Sequence, residues 1–159
     1  MRKLMIVLLA VLAAAGCTSI DCPVNNTVNT GYKLMRGEAV DTLRDTMFVV
    51  TFRADGTDSI IFNSGIGLTS FSLPIGYANP EDTLYFIFRN VDYIEVDTVW
   101  IKKENIPHFE SVDCSASFFH QLTALRSTHH AIDSLVINKS FVDYDATTEH
   151  IHLYLKAHD

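Results

Sequence analysis

Apolar residues recur at every second position through much of the chain. Val28, Thr30, Tyr32 and Leu34 share one parity, as do Phe48, Val50 and Phe52, and then Leu84, Phe86 and Phe88. Ile94, Val96, Thr98 and Trp100 form a fourth set, and Ile151, Leu153 and Leu155 a last one. Shorter runs cover Ser59 to Phe62, Leu68 to Leu73 and Ile132 to Ile137. Period two is the mark of a strand with one buried face. Turn formers separate the runs: Asp55-Gly56, Gly76 to Pro80, Asn90 to Asp92, Glu104 to Pro107 and Asp143 to Ala146. Ser115 to Ser127 fits two templates. Phe118, Leu122 and Leu125 would make a helical face, whereas Phe119, Gln121, Thr123 and Leu125 alternate; the strand is preferred. Eight or nine short strands predict an all-β fold, an immunoglobulin-like antiparallel β-sandwich of about 7–9 strands.

Composition agrees once the N-terminus is set aside. In residues 17–159, Val, Ile, Thr, Phe, Tyr and Trp total 54, against 20 for Ala, Glu, Lys and Gln. Pleated surfaces use the first group. Residues 1–16 hold 13 of the apolar residues and two of the 12 basic ones. The remainder therefore carries 10 basic and 19 acidic side chains, a net charge of −9. That excess argues against nucleic acid or an anionic membrane surface as partner.

Met1-Arg2-Lys3 is a positive segment, and Leu4 to Ala15 is an unbroken apolar run. The run is too short for a bilayer, which needs about 20 residues, and suits a secretory signal peptide. Ala14-Ala15-Gly16-Cys17 follows and resembles the lipobox of bacterial lipoproteins, although Ala14 stands where that family favours Leu. The resemblance implies acylation of Cys17 and cleavage before it, which anchors the protein stably. Thr18 is not the Asp of inner-membrane retention, and only Asp21 is acidic before Glu38. The expected location is the outer membrane, facing the periplasm. Three segments follow: signal peptide 1–16, lipid-anchored tether 17–25 and β-sandwich 26–159.

With Cys17 given to lipid, Cys22 and Cys114 remain in an oxidising compartment. An even remainder reads as a disulfide, with two unpaired buried thiols as the alternative. A loop of that length would stabilise by about 4 to 5 kcal/mol at most.

Asp-(Ser/Thr)-apolar recurs with its hydroxyl at Thr42, Thr46, Ser59, Thr83, Thr98 and Ser134. Composition alone predicts about one such tripeptide. A turn Asp followed by a strand-starting hydroxyl residue explains the pattern plainly. The pattern also resembles the O-glycosylation motif of Bacteroidota envelope proteins, which makes the six hydroxyls candidate attachment points.

All seven His lie after residue 107. On a strand, His150 and His152 would share the face opposite Ile151, Leu153 and Leu155, a spacing used by zinc sites. His129 and His130 are candidate further ligands. The plain reading is a solvent-facing strand. Asp143, Asp145 and Glu149 lack the Gly and the spacing of a calcium loop. Trp100 beside Lys102 and Lys103 could serve as a sugar platform, but a lone Trp is usually core. No G-x-S-x-G, HExxH or phosphate-binding loop is present, no catalytic residue emerges, and no cofactor is implied.

Several segments together carry a wider resemblance: Cys17 with Asp21-Cys22-Pro23, Leu73-Pro74-Ile75, Asp113-Cys114, and Ala131 to Ile137. Across residues 17–156 the chain resembles a family of uncharacterised small lipoproteins of Bacteroidota. The resemblance implies a cell-envelope lipoprotein, supports pairing Cys22 with Cys114 and implies no activity. The expected function is a non-enzymatic binding or structural module held at the membrane, with an envelope protein or a glycan as partner. The alternative is a metal- or ligand-binding accessory using the C-terminal His face.

Overall fold

The computed structural model describes residues 27–52 and 56–157. The described residues form strands and no helix: β1 (Asn29–Arg36), β2 (Ala39–Val40), β3 (Thr46–Phe52), β4 (Asp58–Gly65), β5 (Ser70–Pro74), β6 (Glu81–Arg89), β7 (Ile94–His108), β8 (Ser117–Ser127), β9 (Ile132–Ile137), β10 (Phe141–Val142) and β11 (Ile151–Leu155). They build a two-sheet sandwich. One sheet runs β2-β1-β11-β9, with β5 paired to the first half of β1. The other runs β10-β8-β7-β6-β3-β4.

The all-β sandwich reading therefore holds, and the ambiguous Ser115 to Ser127 segment is strand from Ser117 onward, as β8. The antiparallel rule has an exception. β1 and β11 pair in parallel, with Tyr32 opposite Ile151 and Leu34 opposite Leu153. A hairpin imposes antiparallel pairing only on strands joined by a short turn, and these two come from the two ends of the described chain.

The inner faces meet in one core. Tyr32, Leu34, Phe71, Leu73, Ile132, Ile151 and Leu153 come from the first sheet; Met47, Val49, Leu84, Phe86, Phe88, Val99, Ile101 and Leu122 come from the second. Tyr32 stacks on Phe71 at 4.8 Å and leans on Phe86 at 6.1 Å. Burial of each large side chain stabilises by about 1.5–3 kcal/mol.

Two of the alternating sets belong to the other face. In β3 the buried residues are Met47 and Val49, while Phe48 and Val50 are half-buried and Phe52 is exposed. In β7 the buried parity is Asp97, Val99, Ile101 and Lys103, while Ile94 and Val96 face solvent. Both faces of the six-stranded sheet carry apolar residues, so parity alone picks the wrong one there.

Two glycines are demanded by geometry. A Cβ at Gly31 would collide with the Thr148 carbonyl, which packs against β1. Gly37, at φ +58°, turns the chain from β1 into β2.

Candidate functional site

The core-facing parity leads, at one end of the sandwich, from apolar to polar side chains. Along β6 it runs backwards through Phe88, Phe86 and Leu84 to the half-buried Asp82. Along β7 it runs through Val99 and Ile101 to buried Lys103 and then Asn105. On β8 it passes from Leu122 to buried His120. The β7–β8 register shifts between Lys102 and Lys103, where the core turns polar. Irregularities of this kind re-aim side chains and recur beside functional sites.

These groups form a connected set. Lys103 Nζ lies 2.7 Å from Asp82 Oδ1, with its side chain fully buried, and donates to the Asn79 carbonyl at 3.1 Å. Asp82 Oδ2 accepts the Gly76 N–H at 3.1 Å. The buried cation and the carboxylate thus neutralise each other. Asn105 Nδ2 donates to the Tyr77 carbonyl at 2.8 Å, so its Oδ1 is free to accept from His120 Nδ1, 2.8 Å away. The tautomer follows from that bond: Nδ1 carries the proton and Nε2 keeps a lone pair. Burial pushes the His120 pKa down to about 4, the Lys103 cation adds to the shift, and Asp82 opposes it. At neutral pH His120 is an uncharged acceptor. Burial and then the Asp82 charge push the Tyr32 phenol up, so it stays neutral as well.

A cleft opens over this set because two strands part. Pairing of β3 with β6 ends at Val50–Tyr85, while β6 stays paired with β7 back to Glu81–Lys102. The Thr51 hydroxyl bridges the fork by donating to the Thr83 carbonyl at 3.0 Å. The resulting open cleft holds about 730 Å³. Its walls are Thr51 and Phe52 on one side and Pro74 to Asn79 on the other; Asp82 to Tyr85, Phe118 and His120 line the rest. That volume falls within the range of small-molecule sites, about 300–1,000 Å³. Two ring pairs flank it. Phe52 meets Tyr85 edge-on at 5.0 Å, and Tyr77 stacks on Phe118 at 4.9 Å.

A second buried polar group, Asp97 on β7, is structural. It is fully buried and accepts four hydrogen bonds, from Thr128 Oγ1 and His130 N on Oδ1 and from Ala131 N and Ile132 N on Oδ2, all at 2.7–2.8 Å. Those donors come from the link that carries the chain from β8 to β9, from one sheet to the other, and from Ile132, the first residue of β9. Burial acts to raise the Asp97 pKa, but the four bonds outweigh it and hold the carboxyl below the usual range.

The residues singled out by sequence are scattered. Cys17 and Cys22 lie outside the described residues. Cys114 is buried in the β7–β8 link, where its Sγ accepts from Ser111 Oγ at 3.5 Å. Of the six tripeptide hydroxyl residues, Thr42 is exposed in the β2–β3 link, whereas Thr46, Ser59, Thr83, Thr98 and Ser134 lie half-buried on strands. His150 is not on a solvent-facing strand: it is fully buried just before β11, and its Nδ1 accepts the Gly31 N–H at 2.9 Å. It is a bracket between β1 and β11, and burial pushes its pKa down. His152 is half-buried on β11, 3.9 Å from Glu149. His129, exposed at φ +61°, bonds the Asp133 carbonyl, and His130 is exposed beside it. Among the described residues no group of three or more His, Cys, Asp and Glu is placed to hold a metal ion. Asp145 spends its oxygens on Thr147 and Thr148 within its own turn. Trp100 is half-buried rather than core, with the Arg126 guanidinium 4.8 Å above its ring.

Sequence reading missed Asp82, Asn105 and His120 as a site and named Lys103 only as a neighbour of Trp100. Their signal was parity: each continues a run of core positions with a polar residue.

The fold and the cleft define an all-β sandwich with a polar-floored cleft at one end. The chain belongs to the family of unknown function DUF6452, whose model matches residues 46–155. That span includes every polar residue of the cleft floor. No curated protein and no solved structure matches the chain.

Proposed function

We propose that the protein is a non-catalytic, lipid-anchored envelope module that holds a ligand in the cleft between β3 and β6. One observation carries the reading: His120, at 1% exposure, lines the cleft with a neutral Nε2 lone pair that no described residue takes up. Such an acceptor, on a residue that lines the cleft beside a self-neutralised ion pair, is organised for a partner that brings a donor. The same groups argue against catalysis. A histidine with a pKa of about 4 is a weak base at neutral pH, and Lys103 is locked by Asp82 and Asn79.

The anchor rests on Met1 to Cys17 and its likeness to a lipobox, and the resemblance to small Bacteroidota lipoproteins supports the same location at the outer membrane. The Cys22–Cys114 disulfide belongs to this reading and would tie the tether to the β7–β8 link. Two measurements test it. Clickable fatty acid fed to the native host labels the wild type and not Cys17→Ser. A photo-crosslinking residue at Tyr77 captures a ligand in the host envelope, and the same probe at Val91, 98% exposed, does not. Equal capture at both positions overturns the cleft as the binding site.

A further inference from the structure

We infer that the ligand of this cleft is a neutral saccharide, seated with its C–H faces on the flanking rings and a hydroxyl on His120. The inference rests on the cleft reading above and deepens it.

Charge excludes the first alternatives. Asp82 is compensated by Lys103 at 2.7 Å and His120 is neutral, so the floor offers no net charge to an ion. The chain as a whole is acidic, at −7, which repels anions further. A charged ligand would lose its hydration here without gaining a counter-charge. A purely apolar ligand fails for the opposite reason, because it would cover the His120 lone pair and leave it unmade. The occupant must therefore carry apolar faces and uncharged donors together.

The rings narrow the choice. Phe52 and Tyr77 are 53% and 63% exposed, yet each is fixed by its neighbour, Tyr85 and Phe118 respectively. Exposed rings held still beside polar groups are suited to a ligand with flat C–H faces. A pyranose has such a face and hydroxyls around its rim. An extended peptide would also bring donors, but it would dock by adding a strand along the open edge of β6. That edge is only four residues long, Glu81 to Leu84 beyond the last β3 pair, and its Thr83 carbonyl already accepts from Thr51 Oγ1.

The test is an array carrying neutral oligosaccharides of glucose, galactose, mannose and N-acetylglucosamine, acidic oligosaccharides, and unstructured peptides. It is probed with the mature chain and with Phe52→Ala and Tyr77→Ala. Both substitutions fall on exposed side chains, and unchanged melting temperatures verify that the variants fold. The expected result is retention on a neutral oligosaccharide, weakened at least tenfold in each variant. Retention on peptides or acidic sugars alone overturns the saccharide assignment and leaves the cleft standing as a binding site. Retention on neutral sugars that neither variant weakens also overturns it. An array with nothing retained overturns it too; the Tyr77 photo-probe then tells whether the cleft reading falls with it.

Discussion

Replacing Asp97 by Asn would test whether one carboxylate holds the two sheets in register. In the wild type its two oxygens accept four hydrogen bonds from Thr128, His130, Ala131 and Ile132, at full burial. The amide keeps one acceptor oxygen. Two donors can still use it, now as neutral bonds, while the new NH₂ faces two N–H groups that no longer have an acceptor. Bonds to a charged acceptor contribute about 1.5–3 kcal/mol each, and an orphaned buried donor costs about 1–3 kcal/mol. The expected loss is about 3–5 kcal/mol, against a total stability of about 5–15 kcal/mol for a domain. Urea unfolding measures it as a lowered midpoint with an unchanged slope. The pH dependence supplies an independent readout. The Asp97 pKa is depressed in the folded state, so its stabilisation is complete above the unfolded value near 3.9 and is lost as pH falls through the folded one. The wild type should therefore show a steeper acid limb than Asp97→Asn. A loss below about 1 kcal/mol, or acid limbs that run parallel, would refute the account.

Further predictions follow from the same contacts. The His120 pKa is about 4 folded and 6.5 unfolded, so the unfolded chain takes up the proton first as pH falls. The wild type should lose up to about 3 kcal/mol between pH 6.5 and 4, and His120→Gln should flatten that part of the melting-temperature profile. Lys103→Met strands the Asp82 carboxylate and should cost about 3–5 kcal/mol at pH 7, with partial recovery on adding Asp82→Leu; a double-mutant cycle by urea unfolding checks the coupling. Gly31→Ala drives a methyl into the Thr148 carbonyl and should destabilise by about 1–3 kcal/mol, or more if the Gly31–His150 bond breaks, as read by thermal melting. If the protein is glycosylated in its host, peptide mass mapping should place the adduct at Thr42, the exposed hydroxyl of the six, and a glycan confined to Thr98 would contradict that ordering.

Some of this was legible from the chain. The parities of Val28 to Leu34 and Ile151 to Leu155 mark true inner faces because their alternate positions, Asn29, Gly31, Lys33, His152 and Tyr154, are not aliphatic, and Leu84 to Phe88 is also an inner face although Tyr85 and Ile87 stand between. β3 and β7 misled because their outer faces are apolar too. In β7 the inner face also begins with Asp97 and ends with Lys103, so the run that looked most hydrophobic, Ile94 and Val96, is the solvent side. No local rule marks Asp97 as buried, since its donors lie 31 to 35 residues further on. His150 was misplaced for the same reason: its partner, the Gly31 N–H, is 119 residues away and reaches it through the parallel β1–β11 pair. The cleft was hidden because it depends on where β3 leaves β6, and Val50 is followed by Thr51 and Phe52 with no break in the pattern.

The position of Thr27 on the wall of the cleft sets a length scale for the whole molecule. Ten peptide units separate it from Cys17. A chain that long spans at most about 33–36 Å. If Cys17 is acylated as proposed, the end that carries the cleft can rise no further than that from the lipid surface, which leaves the opposite end of the sandwich, where Asp97 pins the crossing between sheets, as the end able to point away. A ligand would then be met in a layer a few nanometres deep against the membrane, within reach of molecules attached to it and outside the path of those that stay in the bulk compartment.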